Sequence, residues 1–327
     1  MKKILFATGV VALVGFGIIV LSNYRHKSNN TSDKITIVTT LFPQYDFAKT
    51  IGGNKAQVTL LLPPGIEAHA YEPKPSDITK INNAKVFVYT GEFMEPWAHD
   101  IVKSTSNKVK VVDASFGIKM MKKEGIEHEE EHDELTGTND HESEEDHHHG
   151  NIDPHIWLDF DNATIMAGNI AKALIEVDPQ NADYYQNNYK TYELQLNELN
   201  KTYKDTLSTC KSKTIIYGGH YAFGYMANKY GLEYVSAQGF SPDAEPTAKD
   251  MIALIEQIKN DSISYIFYEE LGSPKIADTL ANETSTKLLL LNGAHNLAKA
   301  DYEAGVSFVS IMKNNLKSLS VGLSCQN

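Results

Sequence analysis

The sequence predicts an α/β fold of two lobes with parallel-type sheets, joined by one long rigid helix. Three observations predict it. At 327 residues the chain exceeds one ordinary core and is comfortable for two domains. Short apolar runs alternate with helical stretches on both sides of the midpoint, as in sheets covered by crossover helices. Between the two alternating regions runs a long amphipathic stretch without Gly or Pro.

In chain order, Lys2 and Lys3 precede an uncharged, mostly apolar run from Ile4 to Leu21. A positive start and a hydrophobic segment mark an exported chain. The run is longer than a usual signal core of about 7–15 residues and just reaches the length of a spanning helix. The lysines orient the N-terminus inward. An uncleaved anchor is therefore expected in preference to a cleaved signal, and no cysteine follows the run to carry a lipid. Residues 22–33 are polar and read as a tether.

The first lobe is assigned to residues 34–160. Its strand candidates are Ile35–Thr39, Val58–Leu62, Val86–Tyr89 and Val109–Val112, with helices at Gln44–Ile51 and Ser76–Asn83. Residues 121–150 interrupt it with almost no apolar side chains. Ten of the chain's 12 net negative charges fall there, and such a stretch cannot bury enough surface to offset its ordering entropy, so a mobile loop is expected. The remainder is nearly neutral, and the acidic balance argues against a nucleic-acid partner.

Residues 161–207 form the connector. A helix is expected near Ala163–Val177, and Asp178-Pro179 then opens the long one. Tyr185, Tyr189, Tyr192, Leu196, Leu199, Tyr203 and Leu207 recur every three or four residues, giving a helix of roughly 40 Å. The second lobe, 208–327, has strand candidates Thr214–Tyr217, Glu233–Ser236, Ile263–Tyr268 and Lys287–Leu291. Its helices are expected near Ala222–Tyr230, Ala248–Asn260, Pro274–Glu283 and Gly305–Ser318. Cys210 and Cys325 are the two cysteines; they make no disulfide framework, and the sequence leaves their pairing open.

Chemistry concentrates in the 12 histidines. His69, His220 and His295 each lie just past the C-terminal end of a predicted strand, the edge at which open parallel sheets bind ligands. Both lobes contribute, so a shared site falls between them. His155, in NIDPHIWLDF, completes the set. Four imidazoles suit tetrahedral zinc, and Asp153 and Asp159 are candidates to orient the rings from behind. A lone histidine at a strand end is ordinarily a hydrogen-bonded loop residue, and separations of 86, 65 and 75 residues form no local ligand motif. The shared position, not the spacing, carries the reading. His26 and His99 are read as ordinary residues. The six histidines of the acidic loop, His128, His132, His141, His147, His148 and His149, belong either to a solvated linker or to a weak, multi-site metal collector.

The words around the histidines carry a resemblance. AHAYEPKPSD, DPHIWLDF with the following NATIMAGNIAKAL, GGHYAFGYMANKYGL and GFSPDAEPT are similar to the zinc/manganese solute-binding proteins of ABC transporters, the cluster A-I family, from about Lys34 to the C-terminus. The resemblance implies two lobes on one rigid helix with the metal at their interface, and makes His69, His155 and His220 ligands. Family members resembling manganese carriers tend to have Glu at the third position. His220 and the His-rich loop both favour Zn²⁺ over Mn²⁺. At the fourth position the family has Glu or Asp in a word like LNPLE, where this chain has LNGAH. Either His295 replaces that carboxylate or a water completes the shell.

The expected function is capture of one Zn²⁺ outside the cytoplasm and delivery to an ABC permease, by a monomer catalysing no reaction. Because imidazole must be neutral to bind metal, affinity is expected to fall as pH drops through about 6–7. Release is expected through local loop movement near His155 or His220. The alternatives are a metal-dependent hydrolase with a three-His zinc site and water, and a metal-buffering surface adhesin.

Overall fold

Apolar, β-branched runs four or five residues long produce short strands, buried most fully in Ile35–Thr39, Val86–Tyr89, Thr214–Tyr217 and Tyr265–Tyr268 at the centre of the two parallel sheets. The computed structural model describes residues 34–122, 152–240 and 245–326. Strands β1 (Ile35–Thr39), β2 (Ala56–Leu60), β3 (Val86–Tyr89) and β4 (Lys110–Asp113) form one sheet in the order β2-β1-β3-β4. Strands β5 (Thr214–Tyr217), β6 (Glu233–Ser236), β7 (Tyr265–Tyr268) and β8 (Lys287–Leu290) form a second in the order β6-β5-β7-β8. Every pairing is parallel. Both sheets reverse their winding at the central pair, which opens a crevice at the C-terminal strand ends.

The helices of the first lobe are α1 (Phe42–Gly52), α2 (Pro75–Asn83) and α3 (Ala98–Ser104). The connector holds α4 (Phe160–Val177) and α5 (Ala182–Ser208). The second lobe holds α6 (Gly224–Tyr230), α7 (Ala248–Asn260), α8 (Lys275–Thr284), α9 (Lys299–Ala304) and α10 (Phe308–Gly322). Helices α3 and α9 are absent from the sequence-based expectation, being too short to show a period. The helix expected at Gly305–Ser318 starts later. Gly305, at φ +70°, ends α9 in a left-handed cap, and the Ser307 side chain accepts from Ser310 N to start α10. Pro179–Asn181 forms a 3₁₀ turn before α5. The Asp178 carboxylate accepts from Asn181 Nδ2 at 2.8 Å and from the Tyr185 hydroxyl at 2.6 Å.

Helix α5 is the 27-residue connector. Tyr185, Tyr192, Leu196, Leu199, Tyr203 and Leu207 form its buried stripe. At one end Asn188 Nδ2 donates to Ile51 O at 2.9 Å, tying α5 to α1; toward the other, the Tyr203 hydroxyl donates to Met312 O at 2.6 Å, tying it to α10. The core is continuous across the connector, running through Phe47, Trp157, Phe160, Tyr203, Tyr217 and Phe308. Asp46 of α1 reinforces the join by accepting from Phe308 N at 3.0 Å, and its burial pushes the carboxyl up to about 6. A smaller cluster, including Ile216, Leu254, Ile266 and Leu280, fills the space between the second sheet and α7 and α8.

Among the described residues no helix is long and apolar enough to cross a membrane. The Ile4–Leu21 run, His26 and the six loop histidines (His128, His132, His141, His147, His148 and His149) lie outside the described residues. At the base of the 121–150 stretch, Lys122 and Ile152 form an isolated antiparallel bridge.

The open question of the cysteines is answered by a disulfide between Cys210 and Cys325, which closes 115 residues. Backbone bonds from Ser212 N to Leu323 O (3.1 Å) and Lys211 N to Ser324 O (3.4 Å) hold the same two segments together. A Cys210→Ser, Cys325→Ser double variant is therefore expected to keep the fold but lose about 2–4 kcal/mol in urea denaturation. A loss near zero would show that the backbone bonds suffice.

Candidate metal centre

Each of the four histidines is delivered by a different irregular segment. His69 lies in the segment between β2 and α2. His220 follows β5 after two glycines, and His295 lies five residues beyond β8. His155 precedes a 3₁₀ turn, Ile156–Leu158, after which the Asp159 side chain caps α4 by accepting from Asp161 N at 2.8 Å. The C-terminal edges of both sheets thus face one crevice, and the four side chains meet there.

One nitrogen from each imidazole falls within 4.8 Å of all the others. His69 Nε2 and His155 Nε2 are 3.2 Å apart, as are His220 Nε2 and His295 Nε2. A tetrahedral ion with metal–nitrogen bonds of about 2.0–2.1 Å has ligand–ligand edges of about 3.3–3.4 Å. His155 and His220 are fully buried, His295 is 5% exposed and His69 is partly exposed.

The outer nitrogens set the tautomers. Asp153 Oδ1 lies 2.7 Å from His155 Nδ1 and also accepts from the His155 backbone N at 3.0 Å. Glu269 Oε1 lies 2.7 Å from His220 Nδ1. The Asp153 contact places the proton on His155 Nδ1 and turns its Nε2 lone pair inward, while Glu269 stands at ion-pair distance behind His220 without hydrogen-bond geometry. Lone pairs turned toward one another in a dry pocket are unfavourable until a cation sits between them. Burial, reinforced by the neighbouring rings, holds the protonation of His155 and His295 well below the usual histidine range and brings His69 down to about 3.

The surroundings fix the rings further. Trp157, fully buried, packs edge-on against His155 and His295 and donates from Nε1 to Gly293 O at 2.8 Å. Gly293 N donates to Glu270 Oε2 at 3.0 Å. Burial, with Glu269 alongside, pushes the Glu270 carboxyl up to about 8. A side chain at Gly293 has no room: its Cβ would stand 2.5 Å from His295 Cε1 and 2.6 Å from Nδ1.

All four histidines chosen from the sequence converge, and His99 lies exposed on α3, apart from them. Of the two candidate supporting carboxylates, Asp153 takes that place. Asp159 instead pairs with Lys229 at 3.0 Å while capping α4. Glu269 was missed. The signal that could have found it is the one used for the histidines, since it follows β7 directly at the same sheet edge.

A protein-family model described as the zinc-uptake complex component A, periplasmic, matches residues 37–322. The high-affinity zinc uptake system protein ZnuA of Bacillus subtilis (strain 168) is 39% identical over 303 residues, covering 92% of each chain. The zinc-binding protein AdcA of Streptococcus pyogenes serotype M3 is 39% identical over 88% of this chain, which spans only 55% of that longer protein. The crystal structure of the Zn(II)-bound ZnuA-like domain of Streptococcus pneumoniae AdcA is 33% identical. It superimposes with a TM-score of 0.73 over 89% of this chain and 99% of that one.

Gly293→Ala is the sharpest probe of the geometry. The variant is expected to lose about 10–100-fold in metal affinity, the range for disturbed supporting contacts, with little change in secondary structure. Competition against a chromophoric chelator measures it; unchanged affinity would mean that His295 is not held where the structure places it.

Proposed function

Because the chain belongs to the family of the periplasmic zinc-uptake complex component A, we propose that it is the extracytoplasmic subunit of an ABC zinc importer, holding one Zn²⁺ on His69, His155, His220 and His295. The single observation behind this reading is the convergence of one nitrogen from each of the four imidazoles within 4.8 Å of the others. An all-nitrogen, four-donor set suits tetrahedral zinc, whereas Mn²⁺ favours oxygen donors and six-fold coordination. Here His295 is the fourth donor, in preference to water.

Residues 1–33 anchor or deliver the chain to the outer face of the membrane. The lobes, 34–160 and 208–327 on either side of the 161–207 connector, present the loaded centre to the permease as a monomer. The six histidines of the 121–150 loop collect metal weakly near the tighter site. Capture and release need no bond chemistry. The hydrolase reading requires an open coordination position, which a fourth imidazole would fill.

Proton competition is set by burial. His69, His155 and His295 resist protonation in the fold, so metal affinity persists below the pH 6–7 window that exposed imidazoles would give. The same groups titrate near 6.5 when unfolded. Below that value the unfolded chain binds more protons than the fold. The stability that these histidines contribute to the metal-free protein is then fully present above about pH 6.5 and is lost as pH falls toward about 3.

Isothermal calorimetry tests the reading. One tight Zn²⁺ per chain is expected, with Mn²⁺ far weaker and zinc affinity similar at pH 7.5 and 6. His155→Ala is expected to weaken zinc by more than about 100-fold. Deleting residues 124–149 is expected to remove weak sites and spare the tight one. Tight zinc binding untouched by His155→Ala would overturn the assignment.

A further inference from the structure

Among the four histidines, His69 is the least buried. His155 and His220 are fully buried with carboxylates behind them, and His295 sits in a loop pinned by Trp157, Glu270 and Asn315. The His69 segment, residues 61–74, brings the His69 ring against the other three and is partly exposed. Its two halves are held differently. Toward α2 it is fixed within its own lobe, where the Tyr71 hydroxyl donates to Asp77 Oδ2 at 3.0 Å. Toward β2, beyond Leu61 and Leu62, which bond to Thr39 O and Thr40 O of their own lobe, residues 63–66 are fixed across the crevice to the residues just after His295.

That second attachment centres on Asn296, whose side chain is fully buried. Its Nδ2 donates both of its hydrogens, to Pro63 O at 2.7 Å and Ile66 O at 2.8 Å. Its Oδ1 accepts from Leu297 N at 2.8 Å, which fixes the orientation of the amide. Gly65 N donates to Leu297 O at 2.7 Å beside it. One carboxamide of the second lobe therefore clamps the segment that carries the exposed ligand of the first.

We propose that Asn296 is the latch of the metal centre: it holds the His69 segment shut across the crevice, and metal leaves when that segment swings away. The inference rests on the four-histidine reading. Asn296 touches no metal; it is a positioning residue acting through His69. Release is thereby placed at His69 and not at His155 or His220, whose burial and carboxylate partners make them the fixed side of the site.

Asn296→Asp separates this role from the alternatives. The substitution is isosteric and removes both donors. It also adds a negative charge near a divalent cation, which by electrostatics alone would slow release. The probe is Zn²⁺ on the full chain, released into excess EDTA in a stopped-flow instrument. Loss of two ordinary hydrogen bonds predicts release faster by on the order of tenfold or more, with the association rate within about threefold, since the added bonds act after capture. In a His69→Ala background the same substitution is expected to add nothing, because the latch acts through that ring. Hydrogen exchange on the zinc-loaded wild type needs no variant: the Gly65 amide must exchange at least as fast as zinc departs. Release unchanged or slowed in Asn296→Asp, or a Gly65 amide still protected after many release half-lives, overturns the latch and leaves the four-histidine centre standing. A wild type with no zinc site that His155→Ala removes overturns the four-histidine reading and the latch with it.

Discussion

Four imidazole rings brought nitrogen to nitrogen within 4.8 Å in a largely buried crevice set the terms for the rest of the molecule. Without a cation that arrangement is unfavourable, so the fold must impose it. Asp153 imposes it on His155 by holding the proton on the outer nitrogen, and Glu269 lies in ion-pair contact behind His220. Gly293 and Trp157 impose it on His295, one by its missing side chain and the other by its edge. For the proposed four-histidine centre the consequence is selectivity by donor type and geometry. A centre of nitrogen alone offers little to a hard, oxygen-preferring ion.

The crevice is kept in register by the continuity of the core. Helix α5 is bonded to α1 near one end and to α10 toward the other, and the apolar cluster passes through it without a break. Asp46, capping α10 from the opposite lobe, adds a buried polar tie. A hinge between lobes would have to tear that core, whereas the stretch 63–67, between the core residues Leu61, Leu62, Ala68 and Tyr71, is held across the crevice by a few hydrogen bonds. The architecture thus favours a rigid frame with a local gate.

Much of this was legible in the sequence because the governing signals are local. Ile35–Thr39 and Thr214–Tyr217 are apolar runs bounded by polar residues, and the Tyr and Leu stripe from Tyr185 to Leu207 has helical period over about six turns. The four histidines were legible through their places after strands and through the words around them. What the sequence concealed is what depends on non-local contact. The Cys210–Cys325 bridge joins segments 115 residues apart. Asp159 and Asp153 look alike in DPHIWLD, yet the start of α4 claims one and His155 the other. Glu269 is one of two adjacent acids, and only the packing of β7 beside β5 turns it to His220. Helices α3 and α9 are too short to show a period, and Gly305 reads as a helix start until its left-handed backbone makes it a stop.

The central claim is that all four donors are imidazole nitrogens. Zinc K-edge X-ray absorption on the one-to-one loaded protein reads the donor set directly. The account predicts four nitrogen scatterers at about 2.0–2.1 Å with the outer-shell pattern of four imidazole rings. A shell with three imidazoles and an oxygen from water or carboxylate, or one with five or six donors, would contradict it.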